Sequence, residues 1–388
     1  MQALLPHLDE FWRDSVLDRG LNSLESISYP PNAPLTSRPD WRGKGGEPAN
    51  TLDALKTHAL DRWNIDVAIC NCLYGVQLLF SEDMAAAFAK GVNNYVAKEW
   101  LDRDPRLRAS IVVPMQNTEL AVAEIERCAV DKRFVQVLVL SMGEAPLGRR
   151  QYWPVYEAAE RHGLPLGIHA GSSYKHPVTS LGWPSYYIED YAANSQGFQA
   201  QVASLVCEGV FVKYPKLKVV LLESGVTWLP AFLWRLSKFW RGVRLEVPWL
   251  DRSPAEIVRD HFRLTIQPFD GPDDPAAVAK LIDHLQSDDI LLFSSDFPQA
   301  LRRTSWSASL LSQFRKSSAK VLWLKTGQAL AAISRLKPPS DRRRMATRCS
   351  RSPRPTPSTR PSIKGSASTS SRTRRLLPEP IGRRTSWW

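Results

Sequence analysis

Three side chains stand where chemistry could be done. His169 closes the run Pro-Leu-Gly-Ile-His169, Glu223 closes Lys-Val-Val-Leu-Leu-Glu223, and Asp296 closes Leu-Leu-Phe-Ser-Ser-Asp296. A neutral imidazole is a frequent ligand for a divalent metal. A carboxylate can share that metal or take a proton from water or substrate. Each residue also has an ordinary reading. His169 could bond a neighbouring loop, Asp296 could cap a helix, and Glu223 could pair with an arginine. Their shared position decides between these readings, because polar groups at the carboxyl ends of buried parallel strands are where α/β barrels keep their chemistry.

The elements that would position them are legible as apolar runs. Strands are expected at Ile65–Cys70, Ser110–Pro114, Val135–Leu140, Leu166–His169, Val219–Glu223, Leu264–Gln267 and Ile290–Ser294. Most are apolar at nearly every residue, as strands covered on both faces of a parallel sheet are. Between them apolar residues recur at spacings of three and four, the helical period. Asp274 before Pro275, Gly163 after Tyr152–His162, and Ser81 before Glu82 and Asp83 supply caps and a favourable first-turn charge. Seven strands are one short of a (β/α)8 barrel. The opening residues offer only an amphipathic stretch, Leu8–Arg19, and a Pro-rich segment, Tyr29–Arg42. The predicted fold class is therefore α/β, a TIM-type barrel, with either an open sheet or its first strand absent.

Other candidates lie near the expected rim. Gln267 follows Leu-Thr-Ile and offers hydrogen bonds only. His176 lies in the loop after His169 and could touch a substrate. Trp183 and nearby tyrosines could wall an aromatic one, although core packing is the default for such rings. His58, His162, His261 and His284 sit on or beside helices and read as surface or interface groups. Cys70 and Cys72 alternate along a strand and do not read as a zinc site.

The net charge of +12 is uneven. From residue 300 onward 21 basic residues accompany two acids, Asp341 and Glu379, so that segment carries +19 and residues 1–299 carry −7. The expected organisation is a barrel over 1–299 and a basic, low-complexity, disordered tail over 300–388. The tail would attract phosphate but has no aromatic interleaving, so nucleic acid is not the expected partner. No apolar run has the length of a membrane span, and no signal peptide is recognisable. Five cysteines without paired spacing fit reduced thiols and a cytoplasmic protein.

At Gly-Ile-His169-Ala-Gly, Lys-Val-Val-Leu-Leu-Glu223-Ser-Gly-Val-Thr-Trp-Leu-Pro and Phe-Ser-Ser-Asp296-Phe-Pro, the chain resembles the amidohydrolase superfamily. It is most similar to the branch holding aminocarboxymuconate-semialdehyde decarboxylase and related aromatic-acid decarboxylases. The resemblance covers residues 1–298. It implies one divalent metal, zinc first and manganese second, with His169 and Asp296 as ligands. It also implies hydrolysis of a small substrate, with an aromatic one among the candidates, and non-oxidative decarboxylation as the alternative. Asp296 and Glu223 would be the catalytic groups, and His176, Trp183 and Gln267 the substrate contacts. A homo-oligomer is left open. Members open on a strand ending in His-x-His, which is not found here; many carry histidine at Glu223; and Gln299 replaces a histidine. The expectation is a chain that begins after the first strand and leaves the family's pattern after 298, as a shifted reading frame would. A catalytically inactive remnant or a binding protein is the competing reading.

Overall fold

The apolar runs fold as a parallel sheet because their backbones must pair where no water reaches them. A computed structural model describes residues 1–21, 51–62, 64–73, 75–170, 175–287, 289–294 and 297. All lie within the unit Met1–Lys337. The strands are β1 (Ala68–Cys70), β2 (Leu107–Val112), β3 (Phe134–Leu140), β4 (Leu166–His169), β5 (Val219–Leu222), β6 (Phe262–Thr265) and β7 (Leu291–Leu292). They lie side by side in sequence order, and every pair is parallel.

The helices are α1 (Glu10–Asp18), α2 (Leu52–Leu55), α3 (Glu82–Val96), α4 (Thr118–Cys128), α5 (Trp153–Arg161), α6 (Tyr187–Cys207), α7 (Val210–Lys213), α8 (Leu229–Val243), α9 (Pro254–His261) and α10 (Pro275–Leu285). Each strand but β7 is followed by at least one of them, which is the alternation of a TIM-type barrel. All seven residues of β3, and all four of both β4 and β5, are buried. Among the described residues β1 and β7 are the sheet's edges. The Tyr29–Arg42 segment, the proposed boundary at residue 300 and the tail lie outside the described residues.

The expected caps form. Ser81 accepts from the Met84 amide and Asp274 from the Ala276 amide. Gly163 takes a left-handed φ of 65°. Each side-chain cap is worth about 1 kcal/mol. The strand ends differ from expectation where neighbours decide them. β2 begins at Leu107 because Leu107 pairs with Ala68. β1 and β7, the edges among the described residues, are short. β6 ends at Thr265, so Gln267 lies beyond the strand, before a cis bond to Pro268.

Candidate active site at the carboxyl rim

His169 is the last residue of β4 and is buried. Its direction follows from Gly167, two residues earlier on the same face. A Cβ on Gly167 would stand 3.0 Å from Cδ of Gln136. That amide fills the space beneath His169, and the glycine leaves room for it. Gln136 in turn donates from Nε2 to Ser110 Oγ at 2.7 Å and to Asn71 Oδ1 at 3.0 Å, while Ser110 donates to Asn71 Oδ1 at 2.6 Å. A polar layer thus runs across β2 and β3 below the rim.

The imidazole's two nitrogens are distinguished by one contact. Nδ1 is 2.5 Å from the carbonyl oxygen of Ala170, which can only accept. Nδ1 donates there, and in the neutral ring Nε2 then presents a lone pair. Across from it, 3.6 Å away, is Oε2 of Glu223. That exceeds a direct hydrogen bond. In the neutral ring that lone pair is open to a divalent metal, whose bonds to nitrogen are about 2.0–2.1 Å, with the Glu223 carboxyl standing beside it.

Glu223 lies one residue past β5 in a left-handed conformation, φ 56°. Such a backbone is unusual for a residue with a side chain and collects at functional sites. The Thr265 hydroxyl at the end of β6 holds it there, accepting from the Glu223 amide at 3.1 Å. Two residues on, Gly225 also has positive φ, 68°, and a Cβ there would come 2.4 Å from Oδ2 of Asp270. Asp270, itself at φ 56°, is exposed as a residue but has its carboxyl packed against this turn. Desolvation pushes that carboxyl above the usual range.

The structure thus brings together His169 and Glu223. His176 is exposed, with Nδ1 2.7 Å from the Pro177 carbonyl. Trp183 is 47% exposed in the same loop between β4 and α6. Gln267 is half-buried in the loop after β6. Asp296 lies outside the described residues, and among those described no three His, Cys, Asp or Glu side chains form a metal-binding group. Burial pushes the Cys70 thiol to about 12, so it stays protonated and is a poor ligand.

Sequence reasoning missed Gln136, Ser110, Thr265 and Asp270. Gln136 had a signal: it is the one polar residue inside Phe-Val-Gln136-Val-Leu-Val-Leu. Asp270 had none, because its place depends on the turn at Gly225.

Comparison with known proteins agrees with this fold. A family model described as amidohydrolase matches residues 7–319, continuing past the break expected at 298. A gamma-resorcylate decarboxylase from Polaromonas is 27% identical over 232 residues, which span 58% of this chain and 69% of that one. A solved amidohydrolase from Mycobacterium avium subsp. paratuberculosis shares the fold with a TM-score of 0.56 at 23% identity, over 69% of this chain and 72% of the other. A dihydroxybenzoic acid decarboxylase from Polaromonas, solved with manganese and the inhibitor 2-nitroresorcinol, aligns with a TM-score of 0.51 at 22% identity, over 68% of this chain and 86% of its own.

Proposed function

The chain belongs to the amidohydrolase family, and we propose that within it the chain is a metal-dependent decarboxylase of a small hydroxylated aromatic acid. The observation that carries this reading is the opposed pair, His169 Nε2 and Glu223 Oε2 at 3.6 Å, on the rim where barrel enzymes work. The gamma-resorcylate decarboxylase likeness favours decarboxylation over the hydrolysis expected first.

His169 fits a divalent metal through Nε2, and Asp296 is the further ligand expected from its place after Leu-Leu-Phe-Ser-Ser. Nitrogen and carboxylate donors without a thiolate suit manganese as well as zinc, and manganese is the metal in the related dihydroxybenzoic acid decarboxylase. Such an ion would supply a Lewis acid for a substrate oxygen. Glu223 is the group that holds and moves a proton. As a carboxylic acid its Oε2 delivers a proton to the ring carbon bearing the carboxylate. The bond from ring to carboxylate then breaks, carbon dioxide leaves, and the proton takes its place. No oxidant is consumed, and Glu223 regains its proton from solvent. Thr265 fixes the glutamate backbone during this exchange. His176, Trp183 and Gln267 are the substrate-facing groups of the surrounding loops.

The test is a substrate comparison on the full chain loaded with manganese. Carbon dioxide release from gamma-resorcylate or a related hydroxybenzoate is expected. Turnover of aryl amides or lactones alone would replace the reading with hydrolysis. Turnover of neither class would refute it.

A further inference from the structure

The opposite pole of the sheet holds a second group of charges, in which cations outnumber carboxylates. Lys218 directly precedes β5, Arg263 is the second residue of β6, and Asp289 lies just before β7. With Arg252, Arg259 and Asp260 they line an open cleft of about 530 Å³. Lys218 and Glu223 bracket β5, so the cleft is roughly 16 Å from the rim at the usual rise per residue.

Four cations here meet two carboxylates. Arg252 takes Asp260 in an ion pair. Among the described residues no other ion pair forms in the cleft. Lys218 reaches only the Asp260 carbonyl, at 2.9 Å. Arg259 spends its Nε on the Leu285 carbonyl at 3.0 Å and its Nη2 on the Gln286 amide oxygen at 2.7 Å. Arg263 places Nη1 on the carbonyls of Phe262, Arg259 and Asp260, at 2.7, 3.0 and 3.5 Å. Burial, and then the nearby cations, push Lys218 below the usual lysine range. Burial also lowers Arg263, and Asp289 offsets this only partly.

The same pole a few strands away is built differently. Arg106, directly before β2, pairs with Asp104 at 2.7 Å and Asp61 at 2.8 Å. Arg133, directly before β3, pairs with Asp131 at 2.8 Å and Asp102 at 2.6 Å. At equivalent places in the barrel, one side gives each arginine two carboxylates. The other side leaves Lys218, Arg259 and Arg263 with carbonyls and a cleft. These half-buried cations crowd one cleft without facing carboxylates of their own, and an external anion with several oxygens would accept from them together.

We propose that the amino-end cleft between β5, β6 and β7 is a binding site for a phosphate-type anion, with room for a phosphorylated small molecule. The anion would sit among Lys218, Arg259 and Arg263, taking donors the protein leaves unused, with Arg252 at the edge. This inference does not rest on the decarboxylase reading.

The experiment is calorimetric titration of the full chain with inorganic phosphate and with a simple phosphate monoester, at constant ionic strength. Saturable binding is expected. Lys218→Gln and Arg263→Gln should each weaken it at least tenfold, while Lys238→Gln on the exposed side of α8 should leave it unchanged. If Arg263→Gln does not fold, Lys218→Gln decides alone. A monoester at least tenfold tighter than phosphate supports an organic phosphate as ligand, and equal affinity supports free phosphate. Absence of saturable binding, or equal loss in Lys238→Gln, would overturn the proposal.

Discussion

At the carboxyl ends of β4 and β5 two acceptors face each other, a histidine lone pair and a carboxylate oxygen 3.6 Å apart. At the amino ends of β5 and β6 the imbalance is reversed, and cations share a cleft with too few carboxylates. The same strands carry both. A half-buried charge ordinarily finds its partner inside the fold, as Arg106 and Arg133 do. Where facing groups share one sign, the missing partner comes from outside. The two poles therefore call for ligands of opposite charge, a cation at the rim and an anion at the base.

The largest effect should come from the rim histidine. His169→Ala removes the imidazole ligand and should lower manganese affinity by about 100-fold or more, beyond the loss typical of residues that only orient ligands. Titration followed by electron paramagnetic resonance of free manganese reads this. It should leave phosphate binding at the base intact, which keeps the poles separable.

Next is Glu223→Gln. The amide keeps the shape and gives up the exchangeable proton. Turnover should fall by about 10²- to 10⁴-fold, the usual worth of a positioned acid or base, with a smaller change in KM. Equal loss through KM alone would make Glu223 a binding group and weaken the rim half of the comparison.

The rim's architecture was only half legible in the sequence. His169 and Glu223 could be placed because each closes a run of buried apolar residues, and such runs report strand ends. The parallel order followed from helical segments between those runs. The support beneath them was not legible. Gln136, Ser110 and Asn71 meet across three strands, and only their register brings them together. Likewise Thr265 meets Glu223 because β6 stops there, earlier than the apolar run Leu-Thr-Ile suggests. The base was less legible still. Lys218, Arg259 and Arg263 read singly as surface cations, and their crowding appears only when the starts of β5 and β6 lie side by side.

A third effect bears on stability. Gly225→Ala would put a Cβ 2.4 Å from Asp270 Oδ2 at φ 68°. It should cost about 1–3 kcal/mol in urea unfolding. Adding Asp270→Ala should recover the steric share but not the backbone strain, a non-additivity expected of contacting residues.

The smallest effects contrast the poles by sign. Desolvation raises Asp270, so the fold loses stability as pH rises through the ordinary carboxyl range toward its native pKa. Asp270→Asn should be slightly more stable than wild type at neutral pH, and the gain should vanish as pH falls below the ordinary carboxyl range. Lys218 is lowered, so the fold loses stability as pH falls below the ordinary lysine range toward its native pKa. Lys218→Gln should gain slightly at neutral pH in phosphate-free buffer, and the gain should fade as pH rises through the ordinary lysine range. Urea midpoints across pH check both.

The rim as a divalent-metal site is the central claim, and metal stoichiometry tests it most directly. Wild-type chain and His169→Ala, each equilibrated with manganese and passed through a desalting column, are compared for metal bound per chain. One equivalent retained by the wild type and essentially none by the variant is the predicted result. Equal retention by both, or none by either, would contradict it.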